Sequence, residues 1–577
     1  MTISWIDQLG EWNPQLVREI KGRFKPRNIS IAVATSLVGQ LLVLMSFAGQ
    51  LPVADERRRI VQEAIYSRYC TGVRQEYSSE LICISDNLGS FVINWQLWWK
   101  DVFAWLSIIG IFTLLLVGVY MLISDLSKEE QRGTLNFIRL SPQPSQTILL
   151  GKMLGVPVLL YLVGLLALPL NLVSGLAGQI SISVILGFYA VLATSCLFFY
   201  SLALLFGLAI AHRLGGFQAW LGSGVVLMFL WVTTAMTLSP GNIITHYPAD
   251  WVTLFSPLVV LDYLRLETNF LNNTASYDLQ DLRWYYLPVS ASVWSAIGFM
   301  LLNYGVWTYW IWQGLKRCFH NPTATLLSKQ QSYWLTATFE AVILGFALNP
   351  DVTSWRSYSK GLFENFQMLL VFNLMLFLCL IVVLSPHRQA MQDWARYRHQ
   401  MRSTRKKGIM SDLIWGEKSP SVVAIGLNLA IASVMLLTWI VFWPENEYQI
   451  PALSGLLLNC SVIFIYAVVA QLMLFMKAQK RVVWAAITVG SLVVLPPVIL
   501  GLLSIAPTES EHALAWMFSA FPWAVVENAT GMSVFLAIIG QSLITGLLTL
   551  QLTRQLQKAG ESSTKALLSG RSSAIAR

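Results

Sequence analysis

Long runs of apolar residues decide what this chain can fold into. The hydrocarbon core of a bilayer requires about 20 consecutive apolar residues from each helix that crosses it. Such runs cover residues 30–51, 102–124, 153–174, 182–211, 217–238, 287–314, 366–385, 421–443, 450–476, 482–506 and 530–553. A shorter run at 332–348 contains Glu340 and adds a further candidate. The sequence therefore predicts an all-α polytopic membrane protein with about twelve transmembrane helices.

Composition and charge distribution favour the same class. Of the 577 residues, 55% are hydrophobic and 12% are charged, whereas soluble domains carry about 25% charged residues. With both termini in the cytoplasm, most Lys and Arg residues fall on the cytoplasmic side, as the positive-inside rule requires. Omitting the span at 332–348 would place the basic loop 386–420 outside, which the same rule opposes. The net charge of +9 then reflects orientation in the membrane, so we expect no nucleic-acid partner, and we expect no cleavable leader.

Residues 1–28 contain a short amphipathic helix before the first span. Asn13 is a good N-cap and Pro14 suits the first helical turn. An apolar stripe is formed by Leu16, Val17, Ile20 and Phe24. Because basic residues occupy the other faces, the helix is suited to lie on the cytoplasmic membrane surface. The alternative is a solvated N-terminal helix.

Residues 127–142, between the second and third spans, are more polar than their surroundings. Ser127 and Glu130 have the spacing of a capping box, which predicts a helix that starts there. The pair Ser141-Pro142 ends this helix, because the residue before proline avoids the α conformation. A second start at Ser145 leads into the next span. An ordinary loop with a surface helix is the alternative to a functional element.

The stretch EEQRGTLNFIRLSPQPSQTILLGK resembles the ABC-2 type transporter permease pattern of E-x-x-x-G-T-L, then Ser/Thr-Pro, then I-L-x-G-K. The resemblance covers the first six spans, to about residue 316. It implies that 127–142 is a coupling helix that binds a separate ATPase subunit, with ATP and Mg²⁺ held by that partner. The implied ATPase contacts are Glu129, Glu130, Arg132, Gly133, Thr134, Leu135, Ser141 and Pro142.

The second half of the chain repeats landmarks of the first in the same order. Asn13-Pro14 corresponds to Asn321-Pro322, and Ser141-Pro142 corresponds to Ser419-Pro420. Pro257 and Pro522 likewise precede the last span of each half. We therefore expect two six-helix ABC-2-like halves, at 29–316 and 317–553, and a cytoplasmic tail at 554–577.

The basic loop 386–420 occupies the place of the coupling helix in the second half. Its segment SDLIWGEK predicts a second ATPase contact, so that one chain would bind two ATPase copies. The alternative is a solvated, positively charged anchor. The predicted contact residues are Asp412, Leu413, Ile414, Trp415 and Glu417.

Residue patterns of enzymes are missing from the sequence. No G-x-x-x-x-G-K-[ST] loop is present, so ATP binding by this chain is not expected. The six His do not cluster, and no zinc-ligand spacing occurs. We predict no catalytic residue, no metal and no cofactor in this chain. Cys70 and Cys83 share one outside loop, where a disulfide is chemically permitted.

These features favour the membrane subunit of an ATP-driven ABC exporter in a bacterial-type plasma (inner) membrane, with lipid around it and a substrate that the sequence does not specify. An ion-coupled secondary transporter that uses Glu340 is one alternative, because ionisable residues inside spans are functional candidates. A membrane-embedded transferase is another. Transferases need acidic or His clusters at a membrane face, which the sequence lacks.

Overall fold

The computed structural model describes residues 8–52, 68–74, 81–84, 91–210, 217–238, 246–266, 282–350, 358–401, 408–444, 447–508 and 510–561. Helices dominate this part of the chain, and its strands form two short hairpins. Ten of its helices are long and apolar enough to cross a membrane. The chain is therefore an all-α multi-pass membrane protein, as the apolar runs predict.

The helices divide between two units. The first unit comprises Met1–Ile243, Val252–Asp281 and Val289–His320, and the second comprises Ile244–Trp251, Leu282–Pro288 and Asn321–Arg577. The main division, after His320, lies four residues beyond the boundary expected from the sequence.

In the first unit, short helices alternate with the long ones. A two-stranded hairpin lies between α2 and α3, where a disulfide joins Cys70 and Cys83. The elements are α1 (Pro14–Arg23), α2 (Pro26–Ala48), β1 (Gly72–Arg74), β2 (Leu81–Cys83), α3 (Trp95–Gln131), α4 (Thr134–Arg139), α5 (Ser145–Gly155), α6 (Val158–Ala177), α7 (Ile182–Ile210), α8 (Phe217–Leu238), α9 (Asp250–Thr253, which spans the division between the units), α10 (Leu258–Leu266) and α11 (Val293–His320).

Helix α7 lies at the centre of the first unit, where it packs against α11 and α3. The turn Thr113–Val117 of α3 is π-helical, a local widening that frees backbone carbonyl groups. The buried Tyr200 of α7 donates its hydroxyl to the Leu114 carbonyl at 2.7 Å. Gly118 makes room for this ring, because a Cβ there would overlap the Tyr200 hydroxyl. The widened turn is therefore part of the α3–α7 contact.

In the second unit, α17 (Gln449–Phe475) takes the central position and packs against α13 (Tyr358–Leu384), α16 (Val422–Val441), α18 (Arg481–Leu502) and α20 (Gly531–Gly560). Helix α12 is joined to α16 by polar side chains, since Thr336 donates to Asn428 Oδ1 at 2.8 Å and Asn428 donates to Ser332 at 3.0 Å. The elements are β3 (Arg283–Trp284), β4 (Leu287–Pro288), α12 (Lys329–Ala347), α13 (Tyr358–Leu384), α14 (Arg388–Met401), α15 (Ile409–Trp415), α16 (Val422–Val441), α17 (Gln449–Phe475), α18 (Arg481–Leu502), the 3₁₀ turns Ser510–His512 and Pro522–Ala524, α19 (Ala513–Met517) and α20 (Gly531–Gly560).

Every predicted span has a long helix at its place. Within the part of the chain that the structure describes, ten helices are suited to cross a membrane: α2, α3, α6, α7, α8, α13, α16, α17, α18 and α20. The runs 287–314 and 332–348 correspond to α11 and α12, which are long but less apolar. Twelve crossings and the cytoplasmic position of both termini stay predictions.

The predicted capping box at Ser127 is wrong, and so are the bounds of the helix 127–142. Ser127 lies inside α3, which continues to Gln131, so the earlier residues of α3 already bond the amide groups of this turn. The separate short helix is α4, at Thr134–Arg139. It follows Gly133, whose φ of 73° is left-handed and favours glycine. The predicted end at Ser141-Pro142 and the new start at Ser145 agree with the structure.

The buried face of α1 also differs from the predicted stripe. Asn13 caps the helix and Pro14 begins it, as predicted. The buried residues of the helix, however, are Gln15, Leu16 and Glu19, so a largely polar face packs against α5. This close packing depends on two glycines of α5, because a Cβ at Gly151 would lie 2.6 Å from Asn13 Oδ1 and one at Gly155 would lie 2.5 Å from Glu19 Cβ.

We expect Gly155→Ala to destabilise the protein, because its methyl group would force α1 away from α5. Overpacking of this kind costs about 1–3 kcal/mol. The measurement is the midpoint of thermal unfolding in detergent. The matched control is Gly110→Ala in α3, where a Cβ meets nothing within 4 Å. Equal midpoints for the two variants would contradict the close contact between α1 and α5.

Candidate functional site

A buried lysine joins three elements of the first unit near the end of the second and the start of the third apolar run. Lys152 of α5 is 0% exposed. Its Nζ lies 2.7 Å from Glu129 Oε2 and 2.9 Å from Asp125 Oδ2, both on the last turns of α3. It also lies 3.4 Å from Glu19 Oε1 of α1. One ammonium group therefore connects α1, α3 and α5.

Arg23 supplies a second cation to the same carboxylates. Its Nη2 lies 2.6 Å from Asp125 Oδ1 and 3.2 Å from Glu19 Oε2. We call Glu19, Arg23, Asp125, Glu129 and Lys152 the Lys152 cluster. With three carboxylates against two cations, the cluster carries a formal charge of −1.

Local hydrogen bonds fix the position of α1 at this cluster. Asn13 accepts from the Leu16 amide with Oδ1 at 3.0 Å and donates with Nδ2 to the Thr147 carbonyl at 2.7 Å. It thus caps its own helix and holds the start of α5. Gln15 donates to Glu19 Oε1 at 2.9 Å, which leaves this carboxylate well positioned toward Lys152.

The pKa values of the cluster follow from burial and charge. Burial disfavours the ammonium form of Lys152, but Asp125, Glu129 and Glu19 outweigh it and raise the pKa of Lys152. Burial raises the pKa of Glu129, while Lys152 acts in the opposite direction. Lys152 therefore stays protonated at neutral pH.

The three carboxylates also have the geometry of a cation site. Oxygens of Glu19, Asp125 and Glu129 lie within 4.8 Å of one another. Carboxylate oxygens are ligands that hard cations prefer. The Lys152 ammonium lies among these oxygens, however, so the chain supplies its own cation to the site.

Helix α4 is attached directly to this cluster. Thr134 donates its hydroxyl to the Glu129 carbonyl at 3.2 Å. Leu135 and Ile138 are 0% and 5% exposed, so one face of α4 is packed into the protein. The opposite face presents Phe137, 79% exposed, and Leu140, 84% exposed. A short helix therefore lies beside the charged cluster and exposes two large apolar side chains.

The structure separates the predicted ATPase contacts into two groups. Glu129 and Leu135 face inward, Gly133 forms the turn and Thr134 holds it, so these four residues shape the segment. Glu130 pairs with Arg139 at 3.7 Å. Arg132 and Pro142 are exposed, and Ser141 is half-buried and bonds the Ile138 carbonyl through its amide.

The predicted contact residues do not include Phe137 and Leu140 on the exposed face. Their signal is the helical repeat, since both residues lie off the face that Leu135 and Ile138 define. The partners of Lys152 were not predicted either. The spacing of Asp125 and Glu129, one helical turn apart just after an apolar run, could have indicated them.

A second buried lysine holds the loop before α16 in the second unit. Lys329, 3% exposed, donates to the Leu413 carbonyl at 2.7 Å, to Ser419 Oγ at 2.6 Å and to the Pro420 carbonyl at 3.1 Å. Burial lowers the pKa of Lys329 to about 8, against the opposing effect of Asp412. These acceptors are uncharged, in contrast to the carboxylates around Lys152.

The predicted second contact lies on this loop. Tyr333 donates to the Ile414 carbonyl at 2.7 Å and its ring meets Trp415 edge-on. Asp412 is paired with Arg398, and Glu417 is exposed. The exposed apolar side chains of α15 are Ile409, Met410 and Trp415, at 54%, 67% and 56%. Like α4, α15 is a short helix with apolar side chains in the open, next to a buried lysine.

Glu340 lies inside the second unit and is 0% exposed. Its carboxyl group lies beside Asn373 of α13 and near Cys460 of α17. Among the described residues, no hydrogen bond of good geometry reaches either of its carboxyl oxygens, and the Asn373 side chain is the polar group that interacts with them. Buried carboxyl groups with so little hydrogen bonding are rare in proteins, so Glu340 is a second candidate site.

Comparison with protein-family models, curated proteins and solved structures finds no match for this chain.

We expect Lys152→Met to destabilise the first unit, because it leaves buried carboxylates with too little positive charge. Removal of one partner from a buried ion pair costs about 3–5 kcal/mol. The pKa of Glu129 is already raised in the folded state, so folding gains stability from its protonation as the pH falls. The variant should therefore lose less stability at mildly acidic than at mildly alkaline pH.

Thermal unfolding in detergent at both pH values measures this effect. Lys128→Met is the matched control, because Lys128 is exposed one residue before Glu129. Combining Lys152→Met with Glu129→Gln should restore part of the stability. A loss that is the same at both pH values, with no restoration, would contradict the charge balance of the cluster.

Proposed function

We propose that this chain is the membrane-spanning subunit of an ATP-driven ABC-type exporter in a bacterial-type plasma membrane, and that it binds a separate ATPase through α4. The exposed pair Phe137 and Leu140 beside the Lys152 cluster is the observation that supports this proposal most. The permease-like sequence 129–152 contains both the exposed pair and Lys152.

The exposed apolar pair gives the proposed contact its energy. Burial of one large apolar side chain contributes about 1.5–3 kcal/mol. A short helix that places such side chains in a groove of a partner is a common mode of recognition. The partner groove would enclose Phe137 and Leu140, while Arg132 and Pro142 would lie at its edge.

The Lys152 cluster gives the proposed contact its mechanical connection. Because Thr134 is bonded to Glu129, and Glu129 to Lys152, a displacement of α4 moves α3, α5 and α1 together. ATP and Mg²⁺ bind to the partner in this proposal. Closure of two ATPase subunits around ATP would move α4 and so change access to the substrate pathway between the membrane helices.

We place a second ATPase contact on α15, through Met410 and Trp415. The two short helices share exposed apolar side chains and a buried lysine at their base. One chain would then bind two ATPase copies. The alternative for this loop is a solvated, positively charged anchor. A variant of α15, Trp415→Asp, separates an ATPase contact from such an anchor.

We expect the double variant Phe137→Asp, Leu140→Asp to lose its ATPase partner while it stays folded and in the membrane. Both side chains are exposed, so the charges remain hydrated and the fold is unaffected. The measurement is ATP hydrolysis, together with a Walker-A polypeptide identified by mass spectrometry, in the material that copurifies with the tagged chain.

The control is Phe137→Leu, Leu140→Met, which keeps the apolar surface and should retain the ATPase. Trp415→Asp should reduce the ratio of ATPase to permease from two copies to one. Retention of the ATPase by the Phe137→Asp, Leu140→Asp variant would refute the coupling role of α4. An unchanged ratio in Trp415→Asp would refute the second contact on α15.

An ion-coupled secondary transporter is the second candidate, and Glu340 is the observation in its favour. A carboxyl group buried in a membrane interior is suited to carry a proton. This mechanism would draw its energy from a proton gradient. The ATP-driven proposal assigns Glu340 no step in energy conversion.

We expect Glu340→Gln to impair transport less than the Phe137, Leu140 double Asp variant does. The assay uses inside-out vesicles supplied with ATP, in which the accumulated compound is identified by mass-spectrometric profiling. Glutamine keeps the shape of the side chain and removes its ability to ionise. Addition of an uncoupler should leave wild-type transport intact, whereas loss of transport with ATP still present would favour the secondary transporter.

A further inference from the structure

A cavity of about 540 Å³ lies in the first unit between the C-terminal end of α2 and the first turns of α3. Leu258 and Leu261 of α10 contribute to its wall. Its volume is typical of pockets for small organic ligands. Along α3, Asp101 at the cavity and Asp125 at the Lys152 cluster are separated by 24 residues, or about 36 Å of helix. The cavity and the cluster therefore lie at opposite ends of a membrane-spanning helix.

The mouth of the cavity is polar and fixed by an ion pair. Arg68 Nη2 lies 2.7 Å from Asp101 Oδ2 and donates to Oδ1 at 2.9 Å. Tyr69, 3% exposed, donates its hydroxyl to Asp101 Oδ2 at 3.0 Å. Burial and the neighbouring carboxylate of Asp101 raise the pKa of Tyr69, so its hydroxyl stays a donor to Asp101.

Arg68 has hydrogen-bonding capacity left for a ligand. Its side chain is 55% exposed. Its contacts with Asp101 use Nη2, while a guanidinium group has five N–H donors. The donors on Nε and Nη1 can therefore each give one charge-assisted hydrogen bond to an anionic group such as a phosphate at the mouth.

The interior of the cavity is an apolar channel. From Asp101 to Ile109, α3 rises about 12 Å, and Ala104, Trp105 and Ile108 line the channel between them. Trp105 and Ile109 are each 46% exposed, and Leu42 on the α2 side is 62% exposed. In a membrane-spanning unit, these exposed apolar side chains face lipid. The channel is therefore open sideways to hydrocarbon and closed by charge at one end.

We propose that this cavity binds a phospholipid-like amphiphile, with a hydrocarbon chain in the channel and a phosphate head group at Arg68. The apolar length, the lateral opening and the Arg68 guanidinium, the cation among the described residues that line the cavity, match the two parts of such a molecule. As the substrate class of the transporter, this assignment rests on the proposed function. As a binding site, it holds without any ATPase.

The experiment uses the purified full chain in detergent, without an ATPase. Phosphatidylglycerol and diacylglycerol with identical chains are titrated separately, and bound lipid is counted by native mass spectrometry. We expect the wild-type protein to bind phosphatidylglycerol about tenfold more tightly or better, as a charge-assisted hydrogen bond provides. Arg68→Gln should remove this preference, whereas Arg283→Gln, an exposed arginine of the second unit, should preserve it.

The apolar channel is tested by filling it. Ala104→Phe should reduce the binding of both lipids, provided that its thermal unfolding midpoint equals that of the wild type. A phosphatidylglycerol with a photoreactive group on its chain gives a readout that needs no variant, since it should cross-link to the α3 segment that contains Trp105 and Ile109. Equal binding of both lipids by the wild type, or cross-links elsewhere only, would overturn the site. Failure of ATPase copurification would refute the transporter and leave this binding result standing.

Discussion

The arrangement of the first unit depends on one ammonium group among three carboxylates. Burial of such ions costs several kcal/mol each unless they are paired, so Lys152 is tolerated only where α1 and α3 bring Glu19, Asp125 and Glu129 to it. Gly151 and Gly155 allow α1 to come close enough. Through Thr134 the same cluster fixes α4, and with it the outward direction of Phe137 and Leu140. The charge balance, the helix packing and the exposed surface are thus parts of one arrangement.

The second unit achieves a related arrangement with neutral partners. Lys329 is satisfied by the Leu413 carbonyl of the exposed helix α15 and by the Ser419 hydroxyl and the Pro420 carbonyl of the loop that follows it. Carbonyl dipoles compensate a buried charge less fully than carboxylates do, which accords with the lowered pKa of Lys329 and the raised pKa of Lys152. The two short helices with exposed apolar side chains therefore lie beside buried lysines whose charges are compensated to different degrees.

The sequence predicts the long helices well, because a bilayer imposes length and apolarity on each segment independently. Asn13 and Pro14 are equally predictable, since a cap is a local feature. The capping box at Ser127 fails because local spacing does not reveal that α3 continues through it. The Lys152 cluster is harder still, because its members are as far apart as Glu19 and Lys152 in sequence. The buried face of α1 is polar because Glu19 belongs to that cluster. The sequence could not predict this face without the cluster.

The Lys152 cluster holds α4 rigidly to α1. Spin labels at Arg18→Cys and Asn136→Cys, both exposed positions, would report this distance by pulsed electron paramagnetic resonance in a protein whose free cysteines, Cys196, Cys318, Cys379 and Cys460, are replaced. We expect one narrow distance distribution in the wild type and in Lys128→Met, and a broad one in Lys152→Met. An equally narrow distribution in all three proteins would show that Lys152 does not hold α4 to α1.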